Sequence, residues 1–243
     1  MQSDTKIIKK HFQKSMDKYA DNAVVQKFTA KTMVEILPEK MFEYVLEIGS
    51  GAGILTSFAA ENIRYKYYYS NDLVDKSENF VKKYISDAKF FGGDFRKIKF
   101  SRKFDLIVSN ACFQWFENLD KVMKKCKSLL NKNGLLAFST FSPDNFKEIT
   151  DITGMSLKYK SVEELKNIIS EDFEIMEIKN FEYVMNFDNP LKILAHMKNT
   201  GVNSLTENHW GVKEVKSFCE NYIQKFPELT LTYSPIIAIA KLK

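Results

Sequence analysis

The sequence predicts an α/β protein: a doubly wound, mostly parallel sheet with helices on both faces. Three observations carry this expectation. Apolar strand patterns alternate with helical ones through five units between Tyr44 and Phe141. A glycine-rich turn, Gly49 to Gly53, follows the first of those strands directly and opens into a helical pattern. After Ser142 the rhythm changes, and the chain closes on a strand-like stretch, "LTLTYSPIIAIAKLK".

The elements follow in order. Helical periodicity runs from about Thr5 to Leu37 and is closed by Pro38. "YVLEIG" (44–49) is a buried strand, with a helix over 54–61 after the glycines. "KYYYSND" (66–72) is the second strand, followed by a lysine-rich helix (75–85) and a short strand in "AKFFGGD" (88–94). "FDLIVSN" (104–110) is the clearest buried strand, and a helix over 119–130 succeeds it. Asn133-Gly134 predicts a turn into the strand 135–141. Later patterns give a helix at 161–170, an extended stretch at 172–187, and helices at 190–199 and 212–224. Two late strands with no helical crossover between them predict an antiparallel edge on the parallel sheet. We expect one domain: an N-terminal helical segment (1–40), a ligand-binding core (44–141), a lid segment (142–226) and a last strand (227–243).

Composition narrows the class. Hydrophobic residues make up 44% and charged residues 28% of the 243, a globular balance rather than a disordered one. No apolar run reaches the roughly 18 residues that span a bilayer, and "MQSDTKIIKKHF" has no apolar signal core, so a cytoplasmic protein without membrane contact is expected. Cys112, Cys126 and Cys219 are far apart and match no zinc spacing, nor do His11, His196 and His209 suggest a metal set. No metal is expected. The net charge is +5, with Lys6, Lys9, Lys10, Lys14 and Lys18 crowding the first helix. Such a face is either plainly solvated or meets an acidic partner. Without a zinc finger, RNP motif or arginine-rich arm, nucleic acid is not that partner.

The glycine loop selects a ligand. It reads E-x-G-x-G-x-G from Glu47, with the third glycine one residue too early for the dinucleotide fingerprint and no GK[ST] for a P-loop. Glu47 would repel a pyrophosphate and suits a cationic or hydroxyl-bearing ligand. Asp72, at the end of the next strand, stands where this fold class grips a ribose diol. Asp94 ends the third strand, with Phe95 beside it to lie against a flat base. An amino group, a ribose and an adenine without pyrophosphate describe S-adenosylmethionine.

"LEIGSGAG", "ND", "GDF" and "FDLIVSN" resemble the successive motifs of the class I S-adenosylmethionine-dependent methyltransferases. That resemblance implies a Rossmann-like, seven-stranded, mostly parallel sheet with an antiparallel last strand and a helical lid insertion. It further implies that the cofactor touches Glu47, Gly49, Ser50, Gly51, Gly53, Asp72, Leu73, Asp94, Phe95, Asn110 and Ala111. The product cofactor would be S-adenosylhomocysteine. "SNACFQW" (109–115) lacks the proline-rich cluster of base-modifying enzymes. With "FQKSMDKYADNAVVQ", "YKSVEEL", "HMKNTGVNSL" and "FPELTLTYSPIIAIAKLK", it resembles the malonyl-[acyl-carrier-protein] O-methyltransferases of biotin synthesis over nearly the whole chain. Phe226 replaces that family's tyrosine before the proline.

This narrower resemblance implies methyl transfer to the free carboxylate of malonyl-acyl-carrier protein, or of malonyl-CoA. The ester would hide a charge and let a fatty-acid elongator accept the primer for pimeloyl and biotin synthesis. It implies that Gln26 reaches the methionine end of the cofactor, that Tyr19 closes over the site, and that Lys198, in the matching Lys-x-x-Gly segment, binds the malonyl carboxylate. Gln114 and Trp115, beyond the fourth strand, would line the place of the reactive methyl. An acidic carrier protein would dock on the first helix or on "KVMKKCK" (121–127), and the enzyme would act as a monomer. No catalytic base is expected, because a carboxylate is already ionised at neutral pH. Two alternatives stand beside this reading: a small-acid O-methyltransferase of the trans-aconitate type, which shares the Asn-x-x-Phe-Gln-Trp pattern, and a non-catalytic cofactor-binding subunit.

Overall fold

The structure, a computed structural model, describes residues 5–200 and 210–243, without the side chains of residues 5–8, 11 and 15. Helix α1 (Thr5–Asn22) and helix α2 (Val24–Ile36) divide what reads as one helical stretch. The Asn22 side chain donates to the Lys18 carbonyl (2.8 Å), competing with the backbone ladder at the break. Strand β1 (Met41–Ile48), helix α3 (Ile54–Asn62), strand β2 (Arg64–Asp72), helix α4 (Ser77–Tyr84), strand β3 (Lys89–Gly92) and strand β4 (Phe104–Ser109) then alternate as the pattern predicts. A single 3-10 turn, Phe113–Trp115, precedes helix α5 (Leu119–Leu129), whose first turn is capped by Asn118.

Strand β5 (Leu130–Phe141) starts earlier than expected. Its pairing with β4 jumps from Phe104–Leu130 to Leu106–Leu135, and Asn133 takes φ 62°. The Asn-Gly pair therefore forms a bulge inside the strand rather than a turn before it. Helix α6 (Lys147–Thr153), helix α7 (Val162–Ser170), strand β6 (Phe173–Asn180), strand β7 (Tyr183–Asn186), helix α8 (Pro190–Asn199), helix α9 (Val212–Lys225), strand β8 (Thr230–Tyr233) and strand β9 (Pro235–Leu242) complete the chain. A full capping box of Ser161 and Glu164 starts α7.

The main sheet has seven strands in the order β3-β2-β1-β4-β5-β9-β6. Strands β1 to β5 are mutually parallel, and β9 runs antiparallel to both β5 and β6. The reversed strand is thus interior, not the antiparallel edge that the sequence suggested: β6 takes the edge and β9 returns to fill the gap. The closing segment is also two strands rather than one. β8 pairs with β7 in a separate two-stranded sheet, and the chain turns at Ser234 into β9. Ser234 fixes that turn. Its backbone N–H donates to Asn145 Oδ1 (3.1 Å), while its hydroxyl accepts from that of Ser142 (2.6 Å) and donates to Asn180 Oδ1 (3.2 Å).

Alternation along the strands builds two cores. Val45, Leu106, Val108 and Ala137 face α2 and α3, whereas Leu46, Ile48, Ile107 and Phe138 face α5 and α7. Because both faces are covered, the central strands read as continuous apolar runs.

The turn between β1 and α3 depends on backbone shapes that favour glycine. Gly53 has φ +75°, and a side-chain carbon there would lie 3.1 Å from the Phe80 carbonyl of α4. Gly53→Ala is expected to lose about 1–2 kcal/mol of stability from the left-handed conformation alone. The measurement is a lowered urea midpoint at unchanged slope.

Candidate functional site

The carboxyl ends of β1 and β4 lie where the strand order reverses, the place where open α/β sheets hold ligands. A cavity with about 1060 Å³ of open space lies over this edge. Its floor is the glycine loop and the ends of β2, β3 and β4. Its roof is α1, which contributes Phe12, Met16 and Tyr19.

The loop is shaped by its neighbours. Gly49 has φ +74°, and a side chain there would collide with Cys112, 2.4 Å from its Sγ. Gly51 has φ +50° with nothing within 4 Å of its missing side chain, so its backbone lies open to the cavity. Gly51 N–H donates to Asp72 Oδ2 (2.8 Å) and Val74 N–H to Asp72 Oδ1 (2.7 Å), leaving each oxygen further capacity to accept. Burial raises the Asp72 carboxyl against those hydrogen bonds. Ser50, Asp72 and Leu73 all line the cavity, and the buried Ser50 hydroxyl has no hydrogen-bond partner among the described residues.

Beyond β4, one amide ties three elements together. Asn110 Oδ1 accepts from Thr29 (2.7 Å) on α2 and from Ser139 (2.6 Å) on β5, while its Nδ2 donates to the Gln26 carbonyl (2.9 Å). Ala111 follows at φ 49°, its N–H donating to Ser139 Oγ (2.9 Å). Asn110 and Ala111 therefore reach the cavity wall, joined by Gln26, whose buried Oε1 has no partner among the described residues.

A smaller chamber, with about 320 Å³ of open space, adjoins the first. Phe12, Tyr19, Gln26, Ala111 and Trp115 line both and form the junction. Gln114 lies in the chamber wall, its Nε2 donating to the Ala111 carbonyl (2.7 Å) and its Oε1 without a partner among the described residues. Trp115 Nε1 is likewise unpartnered there, and the Phe12 ring meets the Trp115 ring edge-on at 5.5 Å. Burial raises the Tyr19 phenol, which stays protonated.

Several predicted site residues are placed or engaged otherwise. Glu47 is 1% exposed and absent from the cavity lining. It shares the α3 face of β1 with Val45, two residues back, and its Oε2 accepts from Thr56 (2.6 Å) and Tyr68 (2.9 Å) beneath the loop. Gly53 faces α4 rather than the cavity. Phe95 borders the cavity but is 2% exposed, its ring packed with Phe100 and Phe116 in the core. Asp94 lines the cavity but is engaged by Arg96, Nη2 to Oδ2 at 2.7 Å, which lowers its pKa. Lys198 is exposed and lines neither space. The apolar stripe Ile193, His196, Met197, Thr200 turns it outward on α8. Gly201 to Leu205 of the same predicted segment, and His209, lie outside the described residues, as do the side chains of Lys6 and His11.

Sequence reasoning missed the chamber's inner wall: Asn145, Tyr159, Thr200 and Tyr233. They are scattered along the chain, and no local spacing marks them. Among the described residues there is no group of three or more His, Cys, Asp or Glu that could hold a metal ion. No described helix is long and apolar enough to cross a membrane. Cys112 is no nucleophile candidate, since burial pushes its thiol up to about 12.

The family described as "Methyltransferase domain" matches residues 46–138. The malonyl-[acyl-carrier protein] O-methyltransferase of Haemophilus influenzae is 34% identical over 246 residues, covering 98% of this chain and 95% of the relative. The protein of the same name from Bacteroides thetaiotaomicron is 33% identical over 255 residues, covering 98% of each. Among solved structures, the YcgJ protein of Bacillus subtilis superposes with a TM-score of 0.64 at 14% identity, covering 89% of this chain and 98% of that one. The N-methyltransferase NodS of Bradyrhizobium japonicum, solved with S-adenosyl-L-homocysteine, gives 0.54 at 13% identity over 87% and 85%. These structural likenesses establish the shared fold.

Burial raises the Glu47 carboxyl from 4.5 to about 7. A raised folded pKa favours the native state below pH 4.5, and that contribution fades as pH rises through about 7. Glu47→Gln removes the titration, so the stability of the variant relative to the parent should grow by on the order of 3 kcal/mol from pH 4 to pH 8. Chemical denaturation of the cofactor-free protein at the two pH values measures it.

Proposed function

The chain belongs to the malonyl-[acyl-carrier protein] O-methyltransferase family, and we propose that it methylates the free carboxylate of a malonyl group carried as a thioester on an acyl-carrier protein, using S-adenosylmethionine. The observation that carries this reading is the junction of two spaces: a long cavity over the glycine loop, and a chamber without a charged side chain among its described lining residues. Cofactor and acceptor meet there from opposite sides.

The residues fit the cofactor. The open face of Gly51 and the unpartnered Ser50 hydroxyl offer a cradle for its polar end. Asp72 keeps acceptor capacity for a ribose diol, and Gln26 Oε1, unpartnered at the junction, suits the amino-acid end. When bound, S-adenosylmethionine supplies a methyl group on a positively charged sulfur. Transfer would form the O–C bond from the acceptor's oxygen lone pair while the C–S pair returns to sulfur, leaving an ester and S-adenosylhomocysteine, and with no proton to move no residue of this chain would have to act as a base. The protein's contribution is therefore alignment and exclusion of water. Charge is annihilated in that step, and the apolar walls of Phe12, Trp115 and Phe141 favour it.

The carrier protein is acidic in families of this kind. Lys10, Lys14 and Lys18 repeat at four-residue spacing on the exposed side of α1, whose other side roofs the cavity. In the α5 stretch, Lys125 turns inward to the Phe95 and Ile98 carbonyls and Lys127 pairs with Asp172, leaving Lys121 and Lys124 on the surface. Both segments would receive an acidic partner.

Mass spectrometry decides the reaction: malonyl-carrier incubated with the protein and cofactor should gain one methyl group. Turnover of trans-aconitate with no malonyl product, or cofactor binding with no turnover of any acid, would sink this reading. Lys198→Ala should keep the KM for malonyl-carrier within about twofold, since an exposed lysine contributes little. Raising salt from 50 to 300 mM should raise that KM severalfold while leaving cofactor affinity nearly constant.

A further inference from the structure

A carboxylate entering the chamber needs hydrogen-bond donors, and the described lining offers no lysine, arginine or histidine. Lys198 is exposed elsewhere, and the segment 201–209 contains no lysine or arginine. Among the neutral donors that remain, the Trp115 Nε1–H and the Tyr19 phenol stand at the junction, and the phenols of Tyr159 and Tyr233 form the inner wall. Asn145 Nδ2 donates to the Tyr159 hydroxyl (3.1 Å), which therefore accepts one bond and keeps its own proton for another group. His196 Nε2 lies 2.7 Å from the Tyr233 hydroxyl. With its proton on Nε2 the imidazole donates to Tyr233, whose own proton is then turned toward the chamber wall, where Thr200 is its neighbour. Burial raises both phenols, so both remain protonated, and it lowers His196, so the ring stays neutral.

Resting on the reaction proposed above, we infer that the acceptor carboxylate is recognised by the hydroxyls of Tyr159 and Tyr233 rather than by a cation. His196 is the positioning residue that sets the Tyr233 proton. The chemistry favours this arrangement. A lysine beside the carboxylate would stabilise the ionised ground state more than the transition state, in which that charge is vanishing. It would also be left unpaired against the ester. Neutral donors bind the anion yet lose less as the methyl arrives. Tyr233, held against the rings of Phe141 and Phe146, and Tyr159, held against Phe141, also position the attacking oxygen toward the junction.

The test compares Tyr159→Phe, Tyr233→Phe, His196→Gln and His196→Leu in the full chain. Methylation of malonyl-carrier by the unaltered protein is the control for the reaction itself; if that fails, the underlying reading fails and not this one. Given turnover, each Phe variant should raise the KM for malonyl-carrier at least tenfold, with cofactor Kd within twofold of the parent. His196→Leu should match Tyr233→Phe, whereas His196→Gln, which keeps a donor, should stay within about threefold of the parent. Calorimetry with S-adenosylhomocysteine present gives an independent readout. The parent should bind malonyl-pantetheine at least tenfold more tightly than butyryl-pantetheine, and each Phe variant should shrink that ratio. Parent-like KM values in both Phe variants, or an unchanged malonyl-to-butyryl ratio, would overturn the inference. A glutamine variant as impaired as the leucine one would remove His196 from its role.

Discussion

The Asn110 side chain is the interaction on which the rest of the site depends. An amide offers one acceptor and one donor group, and here both are used by different elements: Thr29 of α2, Ser139 of β5 and the Gln26 carbonyl. Those bonds pin α2 across the crevice where the strand order reverses. They place Gln26 on the junction, and through Ser139 they hold Ala111 in a left-handed conformation that a non-glycine residue otherwise avoids. Strain of that kind persists only where the surroundings over-determine it. Without the amide, neither wall of the junction would have a fixed place.

Electrostatics divides the molecule's interior along the same line. The large cavity is bordered by charged groups, Asp72 and Asp94 together with Lys9 and with Arg96, which pairs with Asp94, and Glu47 is buried just beneath the loop. The chamber beyond the junction shows no charge among its described lining residues. A cationic methyl donor suits the first and an acceptor about to lose its charge suits the second. The protein has little chemistry to perform beyond holding that contrast dry and aligned.

The segment after β5 builds the second space without leaving the domain. The chain passes through α6 to α9, yet the hydroxyls of Ser142 and Ser234 meet across the sequence, and buried Glu148 accepts from both the backbone and the hydroxyl of Thr232. These bonds fasten α6 to β8, and β8 runs through Ser234 into the interior strand β9. The chamber's Tyr233 therefore stands on the same strand-to-strand turn that closes the main sheet, which ties the shape of that chamber to the stability of the fold.

By itself the sequence determined what depends on short-range pattern. Continuous apolar runs alternating with helical patterns, the glycine loop and Asp72 pointed to the sheet, its cofactor edge and the cofactor class, because a strand covered on both faces is apolar throughout and backbone shape restricts turns within a few residues. The stripe Ile193, His196, Met197, Thr200 is equally local, and helical spacing alone turns Lys198 away from it. Tertiary structure alone decided the rest. It sent Glu47 under the loop, since position 47 shares a face with Val45 and meets Thr56 of a packed helix. It pressed Gly53 against Phe80, buried the Phe95 ring, and set β9 inside the sheet instead of at its edge. It gathered Asn145, Tyr159 and Tyr233 around one chamber and set His196 against the Tyr233 hydroxyl. Their proximity follows from the packing of β8 against α6 and α8, and no periodicity along a chain encodes where two distant segments meet.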